Sequence, residues 1–259
     1  SGYQKILCDF IYMFHMPLFF ILSGYFFKMK YIDNKILFVN KKIKGLYLPY
    51  IEWLTAFILL HNLFCVINVY DDSVLTWGAS IYSYSEILRR IKCTVLMDFG
   101  GGCERLLGGF WFIPVLFISS IISLFSLYVS NLFFRKCQTL GVIVVMIIFV
   151  ISSMLMSYFN ISFRYLVDSR ILLASAMFLS GFLANWFNLF AKRDKAILFI
   201  FISVIIILPL SQMHYVCIGG VWEWYDAVYL LFLGFVGTWM TVCMSFLLLK
   251  TRFKELLIY

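Results

Sequence analysis

Residues Gly141 to Tyr158 read GVIVVMIIFVISSMLMSY, eighteen consecutive positions without a charge. Wound as an α-helix at about 1.5 Å per residue, such a run comes close to the ~30 Å of hydrocarbon in a bilayer. The run lacks the apolar–polar alternation of a barrel strand. A backbone in lipid must satisfy its own hydrogen bonds, so a helix is the remaining choice.

Working outward from this block, the same reading applies on both sides. Apolar runs occupy Ile6 to Phe27, Leu46 to Tyr70, Gly108 to Ser130, Ile171 to Phe190, Ala196 to Ser211 and Ala227 to Leu249. The chain is therefore predicted to be an all-α, polytopic transmembrane bundle of about seven spans. It forms one membrane-embedded domain over residues 1–259, with an outer loop at 71–107. The Ala196 block is the shortest and carries Pro209 near its end; tilt or a locally thin bilayer accommodates it. With 63% hydrophobic, 20% aromatic and 13% charged residues, the composition excludes an ordinary soluble domain.

The net charge of +8 does not point to nucleic acid, because the basic residues sit at the block ends. Fourteen of the twenty-one follow the first, third, fifth and seventh blocks, with Lys28 to Lys44 the densest cluster. By the positive-inside rule this puts residue 1 outside and residue 259 in the cytoplasm. The loop from Asp71 to Leu107 is long enough to hold an interfacial helix, expected over Tyr84 to Met97. The seven cysteines show no CxxC or Cys/His spacing, and no metal site is expected. Cys93 and Cys103 share the outer loop and are the one pair that an oxidising compartment would join. The chain opens on Ser1 without a signal-peptide pattern and stops at Tyr259 soon after an apolar block, which predicts an internal piece of a longer protein.

Ionisable groups inside a bilayer are costly and mark polar cavities or pathways. His15 lies at mid-depth in the first block, with Asp9 near its outer end. His61 lies in the second, with Glu52 near its cytoplasmic end. Histidine is the side chain most readily used as a base near neutral pH, and a buried imidazole hydrogen-bonded to a neighbouring helix is the competing reading. Pro17 frees the carbonyl of Met13, leaving backbone polarity that must face protein, water or substrate. Ser23 and Gly24 let another helix approach closely.

Three stretches carry a family resemblance. Phe14 to Phe27, FHMPLFFILSGYFF, resembles the second-helix signature of the membrane acyltransferase-3 family, and most closely its fucose 4-O-acetylase-like branch. Lys41-Lys42-Ile43-Lys44-Gly45-Leu46-Tyr47-Leu48-Pro49-Tyr50 is similar to the family's basic-x-x-basic stretch ending in Leu-x-Pro-Tyr, with lysine where arginine is frequent. Phe110-Trp111-Phe112-Ile113-Pro114-Val115-Leu116-Phe117 resembles a Trp-Phe-Leu-x-x-Leu-Phe helix start. These motifs cover about the first half of the chain. The family pattern also holds a histidine-bearing helix upstream of position 1, and further helices past position 259.

The resemblance implies transfer of an acyl group, usually acetyl from acetyl-CoA, to a hydroxyl of a cell-envelope carbohydrate. On that view the main base lies upstream and His15 assists it. Lys41, Lys42 and Lys44 hold the CoA phosphates, and Ser23, Gly24, Glu52, His61 and Trp111 line the cavity. The lysines are equally a positive-inside anchor. The outer aromatics Trp77, Tyr82, Tyr84, Trp222, Trp224 and Tyr225 serve either as a sugar platform or as an interfacial belt. The expected partners are a carbohydrate acceptor and the lipid bilayer of the inner membrane. Two rival classes are a polysaccharide or small-molecule transporter or flippase, which needs ionisable residues along a pathway or paired broken helices, and a non-catalytic membrane subunit.

Overall fold

Each predicted apolar block contains a helix in the computed structural model, which describes residues 2–67, 69–70, 81–98, 104–134, 137–161, 168–191, 195–219 and 223–250; the block predicted to Tyr70 is helical to Val66, and that predicted to Phe190 to Trp186. In chain order the helices are α1 (Gly2–Tyr12), α2 (His15–Tyr25), α3 (Lys30–Asp33), α4 (Lys35–Lys42), α5 (Leu48–Val66), α6 (Tyr84–Val95), α7 (Phe112–Phe133), α8 (Gln138–Tyr158), α9 (Ser169–Trp186), α10 (Ala196–Met213) and α11 (Asp226–Lys250). No strand occurs among the described residues. Among the described residues six helical stretches are long and apolar enough to cross a membrane: Gly2–Tyr25, Lys35–Val66, Leu106–Phe133, Gln138–Tyr158, Ala196–Met213 and Asp226–Leu249.

The seventh expected span is α9, less apolar than the others for a physical reason. Its residues from Leu173 through Ala184 are all buried. A helix enclosed by protein on every side need not be uniformly greasy, and α9 carries Ser175, Ser180 and Gly181 among its leucines. α10 runs through Pro209 without ending, as a single lost hydrogen bond near the last turn allows.

Two prolines shape the first two spans. Pro17 has no N–H for the Met13 carbonyl, and the helix breaks over Met13 and Phe14 before restarting at His15. Pro49 likewise leaves the Gly45 carbonyl without its usual donor. There the chain widens into a π-helical turn over Ile43–Tyr47, which joins the basic α4 to α5.

The chain divides into two compact units, Ser1–Lys35 with Ile118–Ser162 and Asp168–Tyr259, and Ile36–Phe117 with Phe163–Val167. In the first, α9 packs on α2 and α8, α11 packs on α2 and α10, and α1 lies against α10. α2 and α9 meet through two glycines. A Cβ on Gly24 would fall 1.8 Å from the Phe178 carbonyl oxygen, and one on Gly181 would fall 1.8 Å from that of Ile21. α11 closes on the break in the same manner, its Gly237 against Phe14 and its Gly234 against Pro17.

In the second unit α6 packs on α5. α6 is the expected interfacial helix, two residues shorter at its end, and the Ser83 hydroxyl accepts from the Glu86 N–H to cap it. The Tyr47 hydroxyl donates to the Val95 carbonyl at 2.9 Å, tying the π turn to the end of α6.

Candidate functional site

His61 is fully buried in the second unit and belongs to a closed polar network. Its Nδ1 lies 3.0 Å from Oε1 of Glu104, which is itself fully buried. The Tyr70 hydroxyl donates to the same oxygen at 2.6 Å, and the Tyr82 hydroxyl donates to Oε2 at 3.3 Å. The Tyr82 ring stacks flat on the imidazole, 3.5 Å between centroids and 2° from parallel. On the far side of the imidazole, Nε2 lies 3.5 Å from Cys65 Sγ. Asn62, one residue along, exchanges two hydrogen bonds with the Tyr82 backbone. One carboxylate thus gathers an imidazole and two phenols, and both ring nitrogens of His61 are engaged. Such an arrangement pins the segment after α5 and the entry to α6; it has no free base to offer a substrate.

Burial, followed by the Glu104 charge, pushes the Tyr82 phenol up from 10.0 to about 12. Burial and the hydrogen bond to Glu104 push Tyr70 up as well. The sign of the pH dependence follows. Between pH 10 and about 12 the native state keeps a Tyr82 proton that the unfolded chain has lost, so stability is fully present below 10 and falls across that window. Thermal midpoints taken across this range are expected to drop more steeply for the native protein than for Tyr82→Phe. Parallel curves would count against the network.

Of the predicted cavity residues, the structure does not bring Glu52 to His61. The two are nine residues apart on one helix, two and a half turns, which places them on opposite faces, and Glu52 is exposed. Trp111 is half-buried at the end of the 3-10 turn Arg105–Trp111. Lys41 and Lys44 are exposed, and half-buried Lys42 holds its ammonium 5.4 Å from the Phe38 ring. Gly24 is filled by the helix crossing described above, with half-buried Ser23 beside it.

His15 lies in the first unit at the restart of the broken span. Its ring stands edge-on to Tyr12 at 4.7 Å. Its Nδ1 is buried and meets no hydrogen-bond partner among the described residues. The segment after α10 reaches the same break, where the Val216 N–H lies 3.4 Å from Met13 Sδ.

That segment holds a histidine the sequence reading passed over. His214 Nε2 lies 2.6 Å from Oδ1 of Asp226, a carboxylate only 2% exposed, whereas the imidazole is 42% exposed. The other oxygen of Asp226 accepts the Glu223 N–H at 2.7 Å. No spacing signal links positions 214 and 226; the available hint was an aspartate opening a long apolar block just after a histidine. Glu104, Tyr70 and Tyr82 likewise escaped the sequence reading as partners of His61.

Trp77, Trp222, Cys103, and with it the Cys93–Cys103 pairing, lie outside the described residues. So do the basic residues Arg135, Lys136, Arg164, Lys192, Arg193, Arg252 and Lys254.

A family model described as an acyltransferase domain matches residues 1–259. No curated protein matches the chain. No solved structure matches it either.

Proposed function

The chain belongs to the acyltransferase-3 family, whose model it matches over residues 1–259, and from that premise we propose that it moves an acetyl group from acetyl-CoA to a hydroxyl of a cell-envelope carbohydrate. The observation that carries this reading is the unpartnered Nδ1 of His15 at a break in a membrane span. A buried ring nitrogen costs free energy when unsatisfied, and a substrate hydroxyl is a group that would satisfy it. At the same break Pro17 denies the Met13 carbonyl its usual helical donor, which adds backbone polarity beside His15.

His15 serves as an assisting residue that orients the acceptor hydroxyl as its oxygen attacks the thioester carbonyl. Lys41, Lys42 and Lys44 attract the donor's phosphates by charge, on the cytoplasmic side that the positive-inside rule assigns them in an inner membrane.

Radiolabel transfer from acetyl-CoA to envelope glycan, measured in membranes carrying the full-length protein, tests this. His15→Ala is expected to lower kcat by on the order of a hundredfold, the size of losing one positioned hydrogen bond in the transition state. Lys42→Ala/Lys44→Ala is expected to raise KM for the donor with kcat little changed. Unchanged transfer in both variants removes these roles. Absence of transfer by the unsubstituted protein removes the acetyltransferase reading.

A further inference from the structure

We infer that His214 and Asp226 form a second proton-handling pair that serves the carbohydrate acceptor, with Trp224 and Tyr225 as the platform for its sugar ring. The inference rests on the acyltransferase reading above and adds to it a base and an acceptor subsite within this chain.

The geometry is that of an oriented base. An ionised carboxylate only accepts hydrogen bonds, so the 2.6 Å contact makes His214 Nε2 the protonated nitrogen and leaves the Nδ1 lone pair as acceptor. Asp226 is held from behind by the Glu223 N–H and is buried, while the imidazole is open. A buried carboxylate behind an accessible imidazole fixes its tautomer and stabilises the imidazolium that forms when a proton arrives. His61 shows the contrast: it too meets a carboxylate, but it is sealed and has both nitrogens engaged.

Position supports the assignment. His214 ends α10, and the residues after it turn inward, where Val216 and Ile218 are buried. Val216 touches Met13 at the break that carries His15. Tyr215 is pushed up to about 12 by burial, then by its neighbour Cys217, and further by Asp9 and Tyr12. Tyr12 in turn packs on His15. The two imidazoles of the first unit therefore flank one region.

The ligand class follows from the rings beside the base. Tyr225 lies 5.8 Å from the His214 ring, and Trp224 stands edge-on to Tyr225 at 5.6 Å. Both are close to half exposed, Trp224 at 43% and Tyr225 at 47%. Flat, accessible aromatic faces beside a base suit a sugar ring, which offers an apolar face to stack and hydroxyls at its edge. In the transfer, the acceptor oxygen bonds to the acyl carbon as the carbon–sulfur bond of the thioester breaks. The hydroxyl proton passes to Nδ1 of His214 and from there to the departing thiolate.

Two measurements on the full-length protein test the pair. In the first, carbethoxylation of each histidine by diethylpyrocarbonate is followed by mass spectrometry, above the ordinary imidazole range. His214 is expected to react far faster than His61 and to slow several-fold in Asp226→Asn. Equal His214 rates in the two proteins overturn the inference whether or not transfer is detected. In the second, His214→Ala is expected to lose kcat by roughly a hundredfold and to recover part of it with added imidazole. Trp224→Ala is expected to raise KM for the glycan alone. Full transfer by both His214→Ala and Asp226→Asn overturns the inference while the acyltransferase reading stands. Failure of the unsubstituted protein to transfer acetyl overturns that reading, and the labelling rates then decide the pair.

Discussion

Replacing Glu104 by alanine is expected to destabilise the protein more than any other single change to a polar side chain described above. The substitution leaves the Tyr82 hydroxyl without its acceptor, and leaves the Tyr70 hydroxyl and His61 Nδ1, 2.6 Å apart, with only each other. Removing one partner from a fully buried, hydrogen-bonded pair costs about 3–5 kcal/mol, because the groups left behind keep their desolvation penalty. In a chain of this length each kcal/mol shifts the thermal midpoint by roughly 2–4 °C, so a loss of around 10 °C is expected. Glu104→Gln keeps the shape and one acceptor oxygen, but it aims an amide N–H at a donor, and about half the loss is expected. Tyr82→Phe removes only the 3.3 Å contact and keeps the stacked ring, so its effect is the smallest of the three. Unfolding can be followed by a thiol-reactive dye in a protein whose exposed Cys8 and Cys137 are replaced by serine, since Cys243 is buried in the native state. A Glu104→Ala protein that melts with the wild type would show that the network contributes nothing to folding.

That network marks where sequence reading stops. The helices were legible because lipid imposes a length and a hydropathy on any segment that crosses it, and those constraints are local. The interfacial helix at Tyr84–Val95 was expected from the length of the outer loop, and its capping Ser83 is a local signal that agrees with it. The break at Met13 followed from Pro17 alone. Pairings were not legible. His61 stood out as an ionisable residue in an apolar run, but its carboxylate lies forty-three positions away beside a glycine-rich stretch. Glu52, named with it as a cavity residue and in the same block, is turned to the other face by helical periodicity. His214 was overlooked because a histidine just beyond a span looks like loop polarity until the fold brings Asp226 behind it. The weaker hydropathy of α9 was equally ambiguous; only its burial on all sides explains why serines and a glycine belong there.

The α2–α9 crossing yields the second large effect. Gly24→Leu and Gly181→Leu are each expected to abolish accumulation of folded protein in the membrane. At both positions the atom that a Cβ would strike is a backbone carbonyl oxygen at 1.8 Å, so no side-chain rotation relieves the clash. The two helices would have to separate, and α9 is the helix around which the first unit is packed. Alanine is the informative substitution because it adds the Cβ and nothing more. Overpacking of this kind costs about 1–3 kcal/mol or more, against which the better helix propensity of alanine returns at most about 1 kcal/mol. The two clashes are not independent. Once one Cβ has pushed α2 and α9 apart, the second meets part of the gap already opened, so Gly24→Ala/Gly181→Ala is expected to cost less than the sum of the single changes. Gly109→Ala supplies the control, since a Cβ there meets nothing within 4 Å. Melting curves of the four proteins decide the matter: strict additivity, or single alanine variants as stable as Gly109→Ala, would mean that the helices do not meet through these glycines.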